Sequence, residues 1–155
     1  TRFGGIKPLV RLRGEPVLHE LAASAAFVAG QSVTVVLGAY AREIAPSLRQ
    51  RAISIALNRG WEEGVASSIR VAVNSAPPGS GALLLMQADQ VPAIFPRWAF
   101  TDLLSLRGER DARNVLRRNI DRVVRVPMSN AGIDLDTPDD LLSIDVAQAR
   151  GTADP

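Results

Sequence analysis

Hydrophobic and polar positions change period repeatedly along this chain, and each change marks an element. Residues 17–29 are alanine-rich at helical spacing, with Pro16 at the start and Gly30 just past the end, the order in which those two residues bracket helices. Residues 32–37 (SVTVVL) form a continuous β-branched run, as in a strand buried on both faces. The pattern then predicts a helix over 41–50, a short strand over 53–57 and a helix over 67–74. Pro77-Pro78-Gly79-Ser80-Gly81 reads as an exposed loop, followed by the apolar strand 82–86 (ALLLM). Helices over 97–106 and 112–118, a strand over 122–126 and a last helix opened by Pro138 complete the chain. No internal repeat or linker interrupts the series, so residues 1–155 read as one domain. Strand–helix alternation of this kind predicts an α/β fold, a mostly parallel sheet with helices on both faces. In such sheets ligands sit beyond the carboxyl ends of the strands.

Two places look short of parts. The glycine turn near the start has no strand before it. Between Asp89 and Phe95 the chain passes from a strand end into a new motif with no room for a parallel crossover, which takes a dozen or more residues. Either the domain is pared down, or segments that are not neighbours in the natural chain are joined; the second is expected, with the discontinuity near Val91–Pro92.

Composition narrows the chemistry. The 155 residues are 46% hydrophobic and 22% charged, enough for a real core in a globular domain. No apolar run reaches the ~18–20 residues needed to span a bilayer, so no membrane partner is expected. With no cysteine, disulfides, thiolate zinc sites and thiol catalysis are excluded. The single histidine, His19, lies in an apolar helical stretch and reads as structural. Net charge is only +2. The basic stretch 107–125 puts Arg110, Arg113 and Arg117 on one helix face, but Glu109, Asp111 and Asp121 interleave with it. That is the pattern of a salt-bridged surface rather than a nucleic-acid footprint. Carboxylates, arginines, one lysine and backbone amides remain, an inventory that suits Mg²⁺ and phosphate.

Those groups cluster in two acidic stretches and one basic turn. In Thr1-Arg2-Phe3-Gly4-Gly5-Ile6-Lys7 the adjacent glycines let backbone N–H groups approach an anion, and Arg2 and Lys7 bracket the turn. Lys7 is the only lysine in the chain. Its compact charge suits a phosphate whose charge moves during reaction; a plain surface turn with two solvated cations is the other reading. Asp89 stands three residues beyond the strand 82–86, at a carboxyl edge where a metal ligand or a turn residue would equally sit. Asp134 and Asp136 are two apart, so in extended chain both point to one face. Thr137 and Asp140 resemble a capping box with Pro138 at the first helical position, which explains that end of the segment but not Asp134 or Asp136. Facing a basic glycine turn, these acids form a plausible Mg²⁺–phosphate site.

Four motifs in order then resemble the MobA-like NTP-transferase family, closest to its molybdenum cofactor cytidylyltransferases. Thr1–Lys7 (TRFGGIK) is similar to the end of the nucleotidyltransferase signature. Asn58-Arg59-Gly60-Trp61-Glu62-Glu63-Gly64-Val65-Ala66-Ser67-Ser68 is similar to the family's Asn-x-x-Trp-x-x-Gly-Met-x-x-Ser segment. Asp89 falls in its Ala-Asp-Gln-Pro position, and residues 134–141 match its Asp-x-Asp-Thr-Pro-Glu-Asp-Leu ending. The chain departs from the family pattern at Gly108-Glu109-Arg110-Asp111-Ala112-Arg113, where Gly-Asp-x-Gly-Ala-Arg is usual, at Val65 for methionine, and at Val91 for proline.

The resemblance implies a Rossmann-like nucleotidyltransferase fold and a cytoplasmic enzyme. A phosphate monoester, on molybdopterin, attacks the α-phosphorus of CTP and pyrophosphate leaves in line. Arg2 and Lys7 would hold the triphosphate over Gly4 and Gly5. Asp89 and Asp134 would hold Mg²⁺, with Asp136 a second-rank ligand. Asn58, Gly64, Ser67 and Ser68 would line the base and ribose pocket, with amides of the helix start facing polar acceptors. A molybdoenzyme or its maturation chaperone is the implied protein partner. Guanylyl transfer, or transfer to another small acceptor, stays open, as does a module that binds nucleotide or cofactor without turnover. The joint presence of Arg2, Lys7, Asp89 and Asp134 speaks against the last.

Overall fold

The computed structural model of the chain describes residues 6–12, 14–49, 52–87 and 90–126. Arg2, Gly4, Gly5, Asp89, Asp134, Asp136 and the helix expected at Pro138 lie outside them. Lys7 opens a 3₁₀ turn, Lys7–Leu9. The short antiparallel strands β1 (Arg11–Leu12) and β2 (Glu15–Pro16) lead straight into α1 (Val17–Ala29). That helix ends as the sequence predicts: Gly30 takes φ 59°, and its N–H closes on the Ala26 carbonyl at 2.8 Å. His19 lies on α1 with Nδ1 3.0 Å from Glu15 Oε2.

β3 (Thr34–Leu37), α2 (Ala41–Leu48) and β4 (Ser54–Leu57) form a βαβ unit. β3 and β4 pair in parallel, Thr34 opposite Ser54 through Leu37 opposite Leu57. Val35 and Leu37, two apart and so on one face, join Ile44 and Leu48 of α2 in a cluster that also takes Ile6, Leu9 and Leu18. The residues flanking Lys7 are thus anchored in the same core as the last residue of β3. After a second 3₁₀ turn, Trp61–Glu63, α3 (Val65–Asn74) packs on β3, on β4 and on a later helix, α4 (Phe100–Leu104). The larger core lies on that side. Ala66, Ile69 and Val73 of α3 meet Phe95, Phe100, Leu103, Leu106 and Val115 there, with Leu103 and Ala66 fully buried.

β5 (Ala82–Gln87) and β6 (Gln90–Pro96) are not a parallel pair of the kind that needs a crossover. They pair antiparallel, from Ala82 opposite Pro96 to Leu85 opposite Ala93, and again at Gln87 opposite Gln90. Between the last two pairs β6 has two residues, Val91 and Pro92, where β5 has one, Met86. This is a β-bulge, one of the few places in a sheet that accept a proline without its N–H. Antiparallel neighbours need only a short connection, so this topology asks for no crossover at 89–95.

Two further expectations change. The helix over 97–106 begins as a 3₁₀ turn, Arg97–Ala99, before α4. The strand expected over 122–126 is not one: a 3₁₀ turn, Ile120–Arg122, runs into 123–126 without regular structure. Val123, Val124 and Val126 carry the β-branched propensity, but propensity needs a pairing neighbour, and no strand pairs with them among the described residues. α5 (Arg113–Arg118) is as expected. Asp111, standing where the family pattern has glycine, starts it: its Oδ1 accepts the Arg113 N–H at 3.0 Å and its Oδ2 holds Arg113 Nε at 2.6 Å. No helix among the described residues is long and apolar enough to cross a membrane.

Candidate functional site

Asn58 is the residue directly after β4, at the carboxyl end of the parallel pair. Its N–H extends the ladder to the Leu37 carbonyl at 2.8 Å. Its side chain is 5% exposed and spends its polar groups inside the protein. Oδ1 accepts the Gly60 N–H at 3.0 Å, which folds 58–60 into a tight turn. Nδ2 donates to Ser67 Oγ at 2.7 Å and to Ser68 Oγ at 3.0 Å. Asn58 therefore ties the strand end to the first turn of α3, and it meets Ser67 and Ser68, two of the residues expected to line one pocket with it.

The two serines differ. Ser67, buried, donates a hydrogen bond from its hydroxyl to the Gly64 carbonyl at 2.8 Å while accepting one from Asn58. Ser68 is half-buried and accepts from Asn58, but its own hydroxyl proton meets no acceptor among the described residues. Of the cluster, Ser68 is the group with hydrogen-bonding capacity left for a ligand.

Gly64 caps the start of α3 at φ 110°, ψ −175°. A Cβ placed there would stand 2.7 Å from the Gly108 carbonyl oxygen and 2.6 Å from Glu109 Oε1. The reason is the close seat of the 106–109 loop: the Ala66 N–H donates to the Gly108 carbonyl at 3.1 Å, and the Ser67 N–H to the Gly64 carbonyl at 3.1 Å. Two amides at this helix start are thus used within the protein, and the Glu109 carboxylate lies against Gly64. An anionic phosphate is disfavoured at this point; the uncharged part of a nucleotide is not.

Glu63 and Arg70 complete the arrangement, and sequence reading had not singled out either for a role. Arg70 grips Glu63 through both terminal guanidinium nitrogens, at 2.9 and 2.5 Å, and reaches the Leu106 carbonyl at 2.7 Å. The hydrogen bond from Arg70 above all, with the Gly108 N–H and the charges of Arg70 and Arg107, holds the Glu63 carboxyl below its ordinary range; burial opposes them. The only local signal was an acid and an arginine seven apart, and the loop they hold is about forty residues downstream. Lys7 has its backbone in the first 3₁₀ turn. Among the described residues no group of three or more His, Asp or Glu side chains converges on a metal position.

Residues 1–91 match the sequence profile of the MobA-like NTP transferase domain. The chain belongs to this family. Solved structures similar to it include two mycobacterial proteins. Rv0371c from Mycobacterium tuberculosis H37Rv is 20% identical with a TM-score of 0.66, over 92% of this chain and 90% of that one. An Rv0371c homologue from Mycobacterium sp. strain JC1 is 22% identical with a TM-score of 0.69, over 96% of this chain and 91% of that one. At these identities the likeness is one of fold, the mixed α/β arrangement that the strand–helix alternation predicted. No curated protein matches the chain at a significant level.

Asn58 itself is buried and bonded within the protein. Asn58→Ala removes both links from β4 to α3 and the turn at Gly60, and is expected to cost about 1–3 kcal/mol of stability, the range for lost buried hydrogen bonds. Thermal melts read this, and an unchanged melting temperature would show that the cluster does not hold the two elements together.

Proposed function

We propose that the protein transfers cytidylate from CTP to a phosphorylated acceptor of the molybdopterin type and releases pyrophosphate. The observation that carries this reading is the Asn58 cluster, a polar seat built at the carboxyl end of a parallel strand pair in a MobA-like NTP transferase domain. Its sequence is similar to the cytidylyl branch, which favours CTP over GTP.

An oxygen of the acceptor phosphate forms the new bond to the α-phosphorus, the bond from that phosphorus to the β-phosphate oxygen breaks, and pyrophosphate takes the electron pair. Such displacements are catalysed by positioning and charge stabilisation. Ser68, with Gly64 beside it, would receive the nucleoside end, while Asn58 and Ser67 hold Ser68 in place. Arg2 and Lys7, with the amides of Gly4 and Gly5, would hold the triphosphate and offset charge on the leaving pyrophosphate. Asp89, Asp134 and Asp136 offer only carboxylate oxygens, a donor set that fits Mg²⁺, and would hold that ion, Asp136 in second rank. When bound, Mg²⁺ supplies positive charge to the phosphate oxygens.

The test is pyrophosphate release with each of the four NTPs in the presence and absence of molybdopterin. Release is expected only with acceptor, and with CTP preferred by at least about tenfold, or ~1.4 kcal/mol. A preference for GTP would move the reading to guanylyl transfer. No release with any NTP would reject it.

A further inference from the structure

The Glu63–Arg70 pair fastens one short loop to the turn that carries Ser68. Arg70, on the second turn of α3, bonds Glu63 on the 3₁₀ turn before the helix and the Leu106 carbonyl in the loop after α4. Glu63 Oε1 in turn accepts a long bond, 3.4 Å, from the Gly108 N–H, and the Gly108 carbonyl accepts from Ala66. Strand end, helix start and loop are thus joined at one place, and Gly64 leaves no gap between them. A bidentate Arg–carboxylate pair fixes geometry as well as charge.

We propose that Arg70 is a positioning residue for nucleotide binding: it keeps the 106–109 loop seated on the first turn of α3 and so holds Gly64 and Ser68 in binding geometry. The proposal rests on the functional reading above. A lysine in its place supplies charge but not the planar fork that serves Glu63 and Leu106 together, so Arg70→Lys should repair the site only in part.

The experiment is calorimetric titration of wild type, Arg70→Met, Arg70→Lys and Glu63→Gln with CTP and Mg²⁺, alongside amide hydrogen exchange of the same proteins. Arg70→Met is expected to weaken CTP binding by about tenfold, since small misplacements in a binding turn carry large penalties. It should also speed exchange at the Ala66 and Gly108 amides. Arg70→Lys should fall between it and wild type. Glu63→Gln, which keeps the shape of the side chain, should move both readouts in the same direction and guards against a variant that fails to fold. Faster exchange with CTP affinity unchanged in Arg70→Met and Glu63→Gln makes the pair a purely structural brace and overturns the proposal. Unchanged exchange overturns it too. If wild type does not bind CTP, the functional reading falls and takes this proposal with it, an outcome distinct from wild type binding and the variants binding equally.

Discussion

Replacing Lys7 with alanine is expected to slow pyrophosphate release by roughly 30- to 1000-fold while the KM for CTP changes little. The magnitude is that of losing one preorganised charge donor, about 2–4 kcal/mol. The split between turnover and binding has a physical cause: the leaving pyrophosphate gains negative charge only as the bond breaks, so an ammonium beside it acts most strongly in the transition state. Asp89→Asn is the companion variant. It should abolish Mg²⁺-dependent turnover and leave the thermal melt unchanged. Both are read by pyrophosphate release on purified protein with melts as a folding control. Wild-type turnover in Lys7→Ala would end the catalytic assignment of the glycine turn.

Gly64→Ala is expected to be the most damaging single methyl group in the described part of the chain. At φ 110° an alanine is strained by about 1–3 kcal/mol. Its Cβ would also lie 2.7 and 2.8 Å from the carbonyl oxygen and carbon of Gly108, backbone atoms that cannot swing aside. Overpacking of that kind adds about 1–3 kcal/mol. Together these should lower the melting temperature on the order of 10 °C. Gly79→Ala separates the two causes, because Gly79 has a comparable φ of 84° but nothing within 4 Å of its added Cβ. Equal losses in the two variants would mean that the loop does not press on Gly64.

How far these results were legible in the sequence varies by element. α1 could be read to the residue because Pro16 and Gly30 act locally on backbone dihedrals. β3 and β4 were legible because a run such as SVTVVL has few other destinations. The β5–β6 hairpin was not. Val91-Pro92-Ala93-Ile94-Phe95-Pro96 holds two prolines, which ordinarily demote a strand, and only the bulge opposite Met86 makes room for the first. At the candidate site Asn58, Gly64, Ser67 and Ser68 lie within eleven residues, so their closeness in space was legible from spacing. That Asn58 supports the serines was a matter of which atom faces which, and spacing alone does not carry that. The Arg70–Leu106 link spans thirty-six positions and left no periodic trace for a sequence reader to follow.

The approach of Gly38 to Trp61 has a consequence for how this chain can drift. A Cβ on Gly38 would stand 2.6 Å from the Trp61 Cβ, the one side-chain atom that every residue but glycine shares. Exchanging the indole for a smaller group therefore gives Gly38 no relief. The loop after β3 and the loop after β4 share a single vacancy that only one of them can fill. Any lineage that places a side chain at position 38 must first accept a glycine at 61, or move one strand end away from the other. Substitution at the two sites is thus ordered, and each constrains the history of the other although twenty-two residues separate them.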